Sequence, residues 1–331
     1  MRLRVLTLLV LIMLLLGMGA IYQSVVNSLD RRNNTVERLI ENKEFVWANF
    51  SPEERNWLSK HATVRVGIDN DFFPIEAKDE NGRHVGMTSD YLRILEKLTG
   101  LKFEISSVGE WTGVMREMKE GKLDIIAALM RTPSRADFLN FSNPFIKMPG
   151  IIVVRSGERK DLTLDDLAGK RVAVVRRYAW HDYLEDYYED IIIDVVDSSE
   201  EGLQRVAFGQ SDALVDYQFS ITHQIKKSGV LDLQVGGVVG LTASLSIGIS
   251  KDLPLLQSIL NKALHSITSE EHSAIVGKWV RFEELDPVST KMIALILMCF
   301  TFLIGATCII VLWNLSLKKL VDKKTSELNA E

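Results

Sequence analysis

Residues 124–145 read DIIAALMRTPSRADFLNFSNPF, and the stretch divides into three parts. Asp124 to Leu129 is a short, continuous apolar run, the pattern of a strand buried on both faces. Thr132-Pro133 breaks it, Arg135 follows from the turn, and Asn143-Pro144 makes a second break. A guanidinium delivered from a turn at the end of a buried strand has the fork geometry to grip an anion. The bland reading of Arg135 is a surface pair with Asp137.

Upstream, the chain alternates. Val64–Ile68 reads as a strand, Ser89–Thr99 as a helix stopped by Gly100, Lys102–Ser106 as a strand, and Trp111–Lys119 as a helix stopped by Gly121. With Leu123–Leu129 this is β-α-β-α-β, which implies a parallel sheet with helices on its faces. Downstream, a strand at Gly150–Val154 opens a second alternation. Strands at Arg171–Val175, Ile191–Val195, Ala213–Asp216 and Leu231–Val235 are separated by helices at Trp180–Tyr188, Ser199–Phe208 and Ser220–Ser228. Gly236-Gly237 reads as a break before a further strand, Ala243–Ile249, and helices at Leu253–Ile267 and Ser269–Val280. These last pieces have no sheet of their own, so they return to the first unit. The expected fold is α/β and two-lobed, with lobe 1 at about 61–148 plus 243–283 and lobe 2 at about 150–238. Two strands cross between the lobes, and a cleft lies at the carboxyl ends of the strands.

A chain of 331 residues, 47% hydrophobic and 25% charged, can build real cores. Its net charge of -5 gives no reason to expect a nucleic-acid partner. Cys299 and Cys308 both sit in one apolar run, so there is no disulfide framework and no cysteine metal site. The histidines are scattered without metal-ligand spacing, there is no phosphate-binding loop, and no cofactor is expected. Tyr183, Tyr187 and Tyr188 lie among acidic residues in what reads as a solvated helix face.

Two apolar runs stand outside the alternation. Val5–Tyr22 follows Arg2 and Arg4, and Ile293–Trp313 precedes Lys318, Lys319, Lys323 and Lys324. The second is long enough to span a hydrocarbon core of roughly 30 Å. The positive-inside rule puts both termini in the cytoplasm and the middle of the chain outside. The reading is therefore a transmembrane anchor (1–24), a juxtamembrane helical linker (25–60), an exported domain (61–289), a second transmembrane helix (290–313) and the start of a cytoplasmic helix (314–331). The competing reading of the first run is a cleaved signal peptide. Ser51-Pro52-Glu53-Glu54 carries a capping box for a short helix on the exported side.

Several stretches, in order, resemble the periplasmic solute-binding proteins of family 3, the polar amino-acid type. They resemble more closely the Venus-flytrap sensor domains of membrane-bound histidine kinases and diguanylate cyclases. The stretches are VRVGIDNDFFPIEAKDENGRHVGMTSDYL, EGKLDIIAALMRTPSRADFLNFSNPF, LAGKRVAVVRR and GQSDALVDYQFS. The resemblance covers roughly residues 51–283. It implies the same two-lobed fold and a small anionic or amphoteric solute as ligand. Arg135 matches the arginine that grips a ligand carboxylate, Asp216 the acid that binds an amino group, and Phe72 an aromatic that stacks on the ligand. Asp69 and Trp111 fall on the cleft rim. The alternatives are a strand-end or helix cap for Asp216 and plain core packing for Phe72 and Trp111.

Two departures re-line this cleft. Ala127, Ala128, Leu129 and Met130 stand where small hydroxyl residues are usual, and Arg176-Arg177-Tyr178-Ala179 stands where glycine begins the second lobe. Arg177 would crowd that space or supply a second cationic clamp, which favours a ligand other than a plain α-amino acid. Leu317, Val321, Lys324 and Leu328 resemble the start of a signalling helix. The expected function is signal input at a bacterial inner membrane, within a homodimer, with lobe closure moving the second membrane helix. The alternatives are a tethered binding protein of an amino-acid importer and a periplasmic dehydratase-like enzyme.

Overall fold

β1 (Thr63–Asp69), β5 (Ile125–Met130), β8 (Arg171–Val175) and β10 (Ala213–Tyr217) are buried along nearly their whole length. Continuous apolar strands of this kind need cover on both faces, which helices of a parallel α/β sheet supply. β4 (Lys102–Gly109) and β9 (Ile192–Val196) alternate in exposure or lie half-buried, and they form the two sheet edges. The computed structural model describes residues 35–228 and 232–280, together with 305, 307, 310–322 and 324–326. Residues 35–281 form one compact unit.

With β7 at Ile146–Arg155 and β11 at Leu233–Ser250, the sheet order is β4-β1-β5-β11-β7-β10-β8-β9. β1 pairs in parallel with β4 and β5, and β8 pairs in parallel with β9 and β10. Two long antiparallel strands join these halves, β7 and β11. A short strand, β6 (Leu139–Phe141), adds to β11, and β2 (Ala77–Lys78) and β3 (His84–Val85) make a separate hairpin. The two-lobed α/β architecture expected from the alternation is present.

One expectation fails. Gly236-Gly237 does not break the chain, and 233–250 is a single strand of 18 residues. The glycines answer a close approach instead: a Cβ at Gly237 would lie 1.9 Å from the Leu162 carbonyl oxygen. The register slips between Val238 and Thr242, opposite Ile151 and Pro149, where the chain passes from one lobe to the other. The helix starting at Ser269 is opened by a full capping box of Thr268 with Glu271. The box at Ser51 and Glu54 forms as expected, opening α1 (Pro52–Lys60).

Gly150 marks the crossing point on β7. A Cβ there would sit 2.4 Å from the ring of Trp180, which is fully buried. Gly150→Ala must displace a rigid ring, so it should destabilise the domain by about 2 kcal/mol, as overpacked sites do. A denaturant midpoint unchanged from wild type would show that Trp180 has room to move.

The apolar run 5–22, expected to be an anchor, lies outside the described residues, as does most of 293–313. Among the described residues, no helix is long and apolar enough to cross a membrane. Residues 310–322 are helical, and Leu317 and Val321 on that helix are exposed.

Candidate functional site

The parallel strands of both lobes end at one place. β1 delivers Asp69, β5 delivers Met130, and β10 delivers Asp216 and Tyr217. The turn after β8 adds Arg177 and Tyr178. Carboxyl ends of parallel strands are where open α/β sheets gather their ligand groups.

Arg135 sits on a single helical turn, α4 (Pro133–Ala136), opened by proline at its first position. It is buried, 4% exposed, and turns inward rather than out towards Asp137. Nη1 donates to the Met130 carbonyl at 2.7 Å and Nη2 to the Arg177 carbonyl at 2.9 Å. The guanidinium carbon lies 4.8 Å from the ring centre of Trp111, a cation–π distance. Burial lowers the pKa of Arg135 from its ordinary value, against the pull of Tyr217, Asp182 and Tyr178.

Trp111 opens α3 (Trp111–Lys119), and its Nε1 donates to the same Arg177 carbonyl at 2.7 Å. That oxygen therefore accepts two bonds from the opposite lobe. Arg177 holds it in place with a left-handed backbone, φ 58°. Such a conformation costs a residue with a side chain about 1 kcal/mol. Arg177 thus meets the clamp through its carbonyl, while its side chain is exposed and does not crowd the inner space.

Tyr178 makes the second tie between the lobes. Its hydroxyl donates to Asp69 Oδ2 at 2.6 Å, and both groups are buried. Asp69 Oδ1 accepts from the Asp71 amide at 3.0 Å, and the Asp69 amide donates to Glu76 Oε1 at 2.8 Å. Burial pushes the Asp69 carboxyl up to about 7, with the Tyr178 and Asp71 bonds opposing. Burial also raises Glu76 well above its ordinary value. Asp216 is held by Ser199 Oγ at 2.5 Å and by the Tyr217 amide at 2.7 Å, and burial raises it to about 6.

Phe72 is 5.0 Å from Tyr217 and 5.8 Å from Tyr178, ring centre to ring centre. With Trp111 these rings fill the inner cleft. The space left inside is about 10 Å³, lined by Asp69, Phe72, Trp111, Met130, Arg135 and Tyr178 among others. That is about the space one water molecule needs, roughly 10–15 Å³ on the same measure. The structure therefore brings together six of the eight residues singled out in the sequence. Asp216 and Arg177 do not line this space. A second, open cavity of about 750 Å³ shares Trp111 and Arg135 with it, and Arg177 lines that one.

Sequence reasoning missed Tyr217, Glu76 and Ser199. Tyr217 follows Asp216 at the same strand end, so its position could have been read. Nothing local marks Ser199, which meets Asp216 only because its helix packs beside β10.

Two lobes joined by paired crossing strands, with an arginine and aromatic rings at the shared strand ends, define a solute-binding domain of the two-lobed α/β kind. Residues 64–282 match the bacterial extracellular solute-binding proteins of family 3, and the chain belongs to that family. It is 30% identical over 245 residues to the virulence sensor protein BvgS of Bordetella pertussis, an alignment covering 74% of this chain and 20% of BvgS. The chain thus spans about a fifth of that relative's length. The crystal structure of the BvgS periplasmic VFT2 domain superposes with a TM-score of 0.64 at 30% identity, over 70% of this chain and 99% of that domain. The probable amino-acid-binding protein YxeM of Bacillus subtilis is 29% identical, over 62% of this chain and 79% of its own length.

Proposed function

We propose that this chain is a membrane-anchored signal-input module, whose periplasmic two-lobed domain senses a small solute. The observation that carries the reading is the set of bonds across the cleft. Arg135 and Trp111 of one lobe hold the Arg177 carbonyl of the other, and Tyr178 holds Asp69. Opening the lobes breaks all three, so the closed and open states differ by a handful of hydrogen bonds, each contributing on the order of 1 kcal/mol net. A solute can shift that balance only by its preference for one state. A carboxylate entering an opened cleft would take the place of the carbonyls on Arg135, a charge-assisted fork in exchange for neutral bonds.

The similarity to BvgS supports a sensory role, and with it an output such as a histidine kinase or a diguanylate cyclase. In this reading the domain is periplasmic, the runs 5–22 and 293–313 span the inner membrane, both termini are cytoplasmic, and the chain works as a homodimer. The likeness to YxeM favours a second reading, a tethered binding protein serving an importer. A reporter active only outside the cytoplasm, fused after Glu331, separates the two. The sensor reading expects it to be silent.

The ligand assignment is tested by thermal unfolding with a panel of amino acids and small carboxylates. Arg135→Ala should abolish the stabilisation that the best of them gives. An equal shift in the variant would sink the clamp.

A further inference from the structure

The inner cleft is filled, but the outer one is not. Its cavity of about 750 Å³ is lined by α3 and Arg135 on one side and by the turn after β8 on the other. Arg116 and Lys119 project from α3 three residues apart, on one face of that helix. Arg176 and Arg177 face them from the second lobe. The acids here are Glu120 and Asp182. Glu120 is engaged by Lys122 at 2.7 Å, and Asp182 is half-buried, its carboxyl raised by burial against the pull of Arg135. The cavity therefore carries a positive excess: Arg116, Lys119, Arg135, Arg176 and Arg177 against these two carboxylates.

The cations differ in how they are used. Arg176 pairs with Asp197 at 2.9 Å, and the Lys119 ammonium lies 4.7 Å from the Phe138 ring centre. Arg116 and Arg177 form no ion pair among the described residues, and both are exposed. Arg177 is the more telling. Only its carbonyl serves the tie between the lobes, and the left-handed backbone that presents it suits glycine best. A large cationic side chain at such a position, aimed into an open cavity opposite Arg116, needs a use of its own.

We propose that the outer cleft binds a small polyanion, one bearing two or more carboxylate or phosphoryl groups, held between Arg116 and Lys119 of one lobe and Arg177 of the other. The volume suits a compact ligand, within the usual 300–1,000 Å³ range of small-molecule sites. An anion touching both lobes meets its full set of cations only when they are closed, so it favours the closed state by differential binding. The proposal extends the sensor reading, since the occupant would be a signal; Arg135 borders both cavities, but the holding side chains proposed here, Arg116, Lys119 and Arg177, are not those of the carboxylate clamp.

The test uses the purified full chain at fixed ionic strength, with citrate, tripolyphosphate and, as a monovalent control, acetate. Isothermal titration should show citrate or tripolyphosphate binding at roughly millimolar Kd or tighter and acetate not binding, and the stronger of the two names the anion type. The double variant Arg116→Gln/Arg177→Gln should weaken that binding by about tenfold or more, the loss expected for charge-assisted contacts. Lys119→Gln, a residue outside the ties between the lobes, gives an independent variant with a smaller expected loss, and circular dichroism of each variant checks that it is folded. Binding of neither polyanion overturns the proposal, as does equal affinity in the double variant, which would place the anion elsewhere. Arg135→Ala separates the two readings. If it spares amino-acid stabilisation while the double variant loses polyanion binding, the clamp fails and the outer site stands. The converse pattern removes the outer site alone.

Discussion

Asp90→Ala is expected to lower the stability of the 35–281 domain by about 3 kcal/mol, because it removes the main partner of a partly buried cation. Asp90 lies in the first turn of α2 (Met87–Thr99), where a carboxylate suits the helix dipole, and it is 1% exposed. Lys278 Nζ donates to both its oxygens, at 2.9 and 2.8 Å, and Trp279 Nε1 donates at 2.6 Å. Both donors come from the last helix of the domain, Ser269–Trp279. Arg93 stands 3.6 Å away and also pairs with Glu37, which itself lies 3.8 Å from Lys278. One carboxylate thus ties the final helix to the first lobe, with the helical segment 35–41 attached through Glu37. Lys278 keeps some contact with water and with Glu37, which holds the loss at the lower end of the range for a broken buried pair. Asp90→Asn retains an acceptor for Trp279 and should fall between wild type and alanine. Urea unfolding measures both, and a loss below ~1 kcal/mol for alanine would show that the network contributes little.

The same node shows what the sequence could and could not convey. Helix α2 was legible from Tyr91, Leu92, Leu95 and Leu98 and from Gly100, because those signals are local. The partner of Asp90 was not, since Lys278 is 188 residues away in the chain. The parallel strands could be read from their apolar runs, and Arg135 from the turn that carries it. The unbroken course of β11 could not, because the meaning of Gly236-Gly237 depends on Leu162 pressing against the strand. A diglycine reads as a break until its neighbour is known. At the site, residue type indicated which side chains gather, but not how they satisfy one another. That Arg135 takes two main-chain carbonyls, one from each lobe, follows from a backbone conformation at Arg177 that no side-chain pattern announces.

Stability should fall as pH rises from about 4 to about 7, and Asp69→Asn should flatten that fall. Asp69 has an ordinary carboxyl pKa of 3.8 in the unfolded chain and about 7 in the closed cleft, where burial disfavours its charge. Below pH 4 the group is protonated in both states and exerts no effect. Between 4 and 7 the unfolded chain releases the proton while the folded one retains it, so the folded state loses ground by about 1.4 kcal/mol per pH unit. Over the whole window Asp69 accounts for roughly 4 kcal/mol. Asp216, raised by burial to about 6, acts in the same direction over the lower part of the window, and Glu76, raised by burial well above its ordinary value, also acts in that direction. The groups that face Asp69 come from every side of the cleft: Tyr178 and Asp216 from the second lobe, Asp71 and Glu76 from its own. Glu37 has the opposite sign. The Arg93 bond depresses its pKa, so its contribution is lost only as pH falls below the ordinary carboxylate range. The expected profile therefore peaks in mild acid and declines towards neutrality. Asparagine can still accept from Tyr178 but cannot ionise, and its amide would face the Asp71 N–H, so some stability is lost at every pH. The slope is the readout, not the absolute value. Urea midpoints for wild type and Asp69→Asn across pH 4.5–7.5 decide the matter, and parallel curves would mean that Asp69 is already ionised in the closed domain.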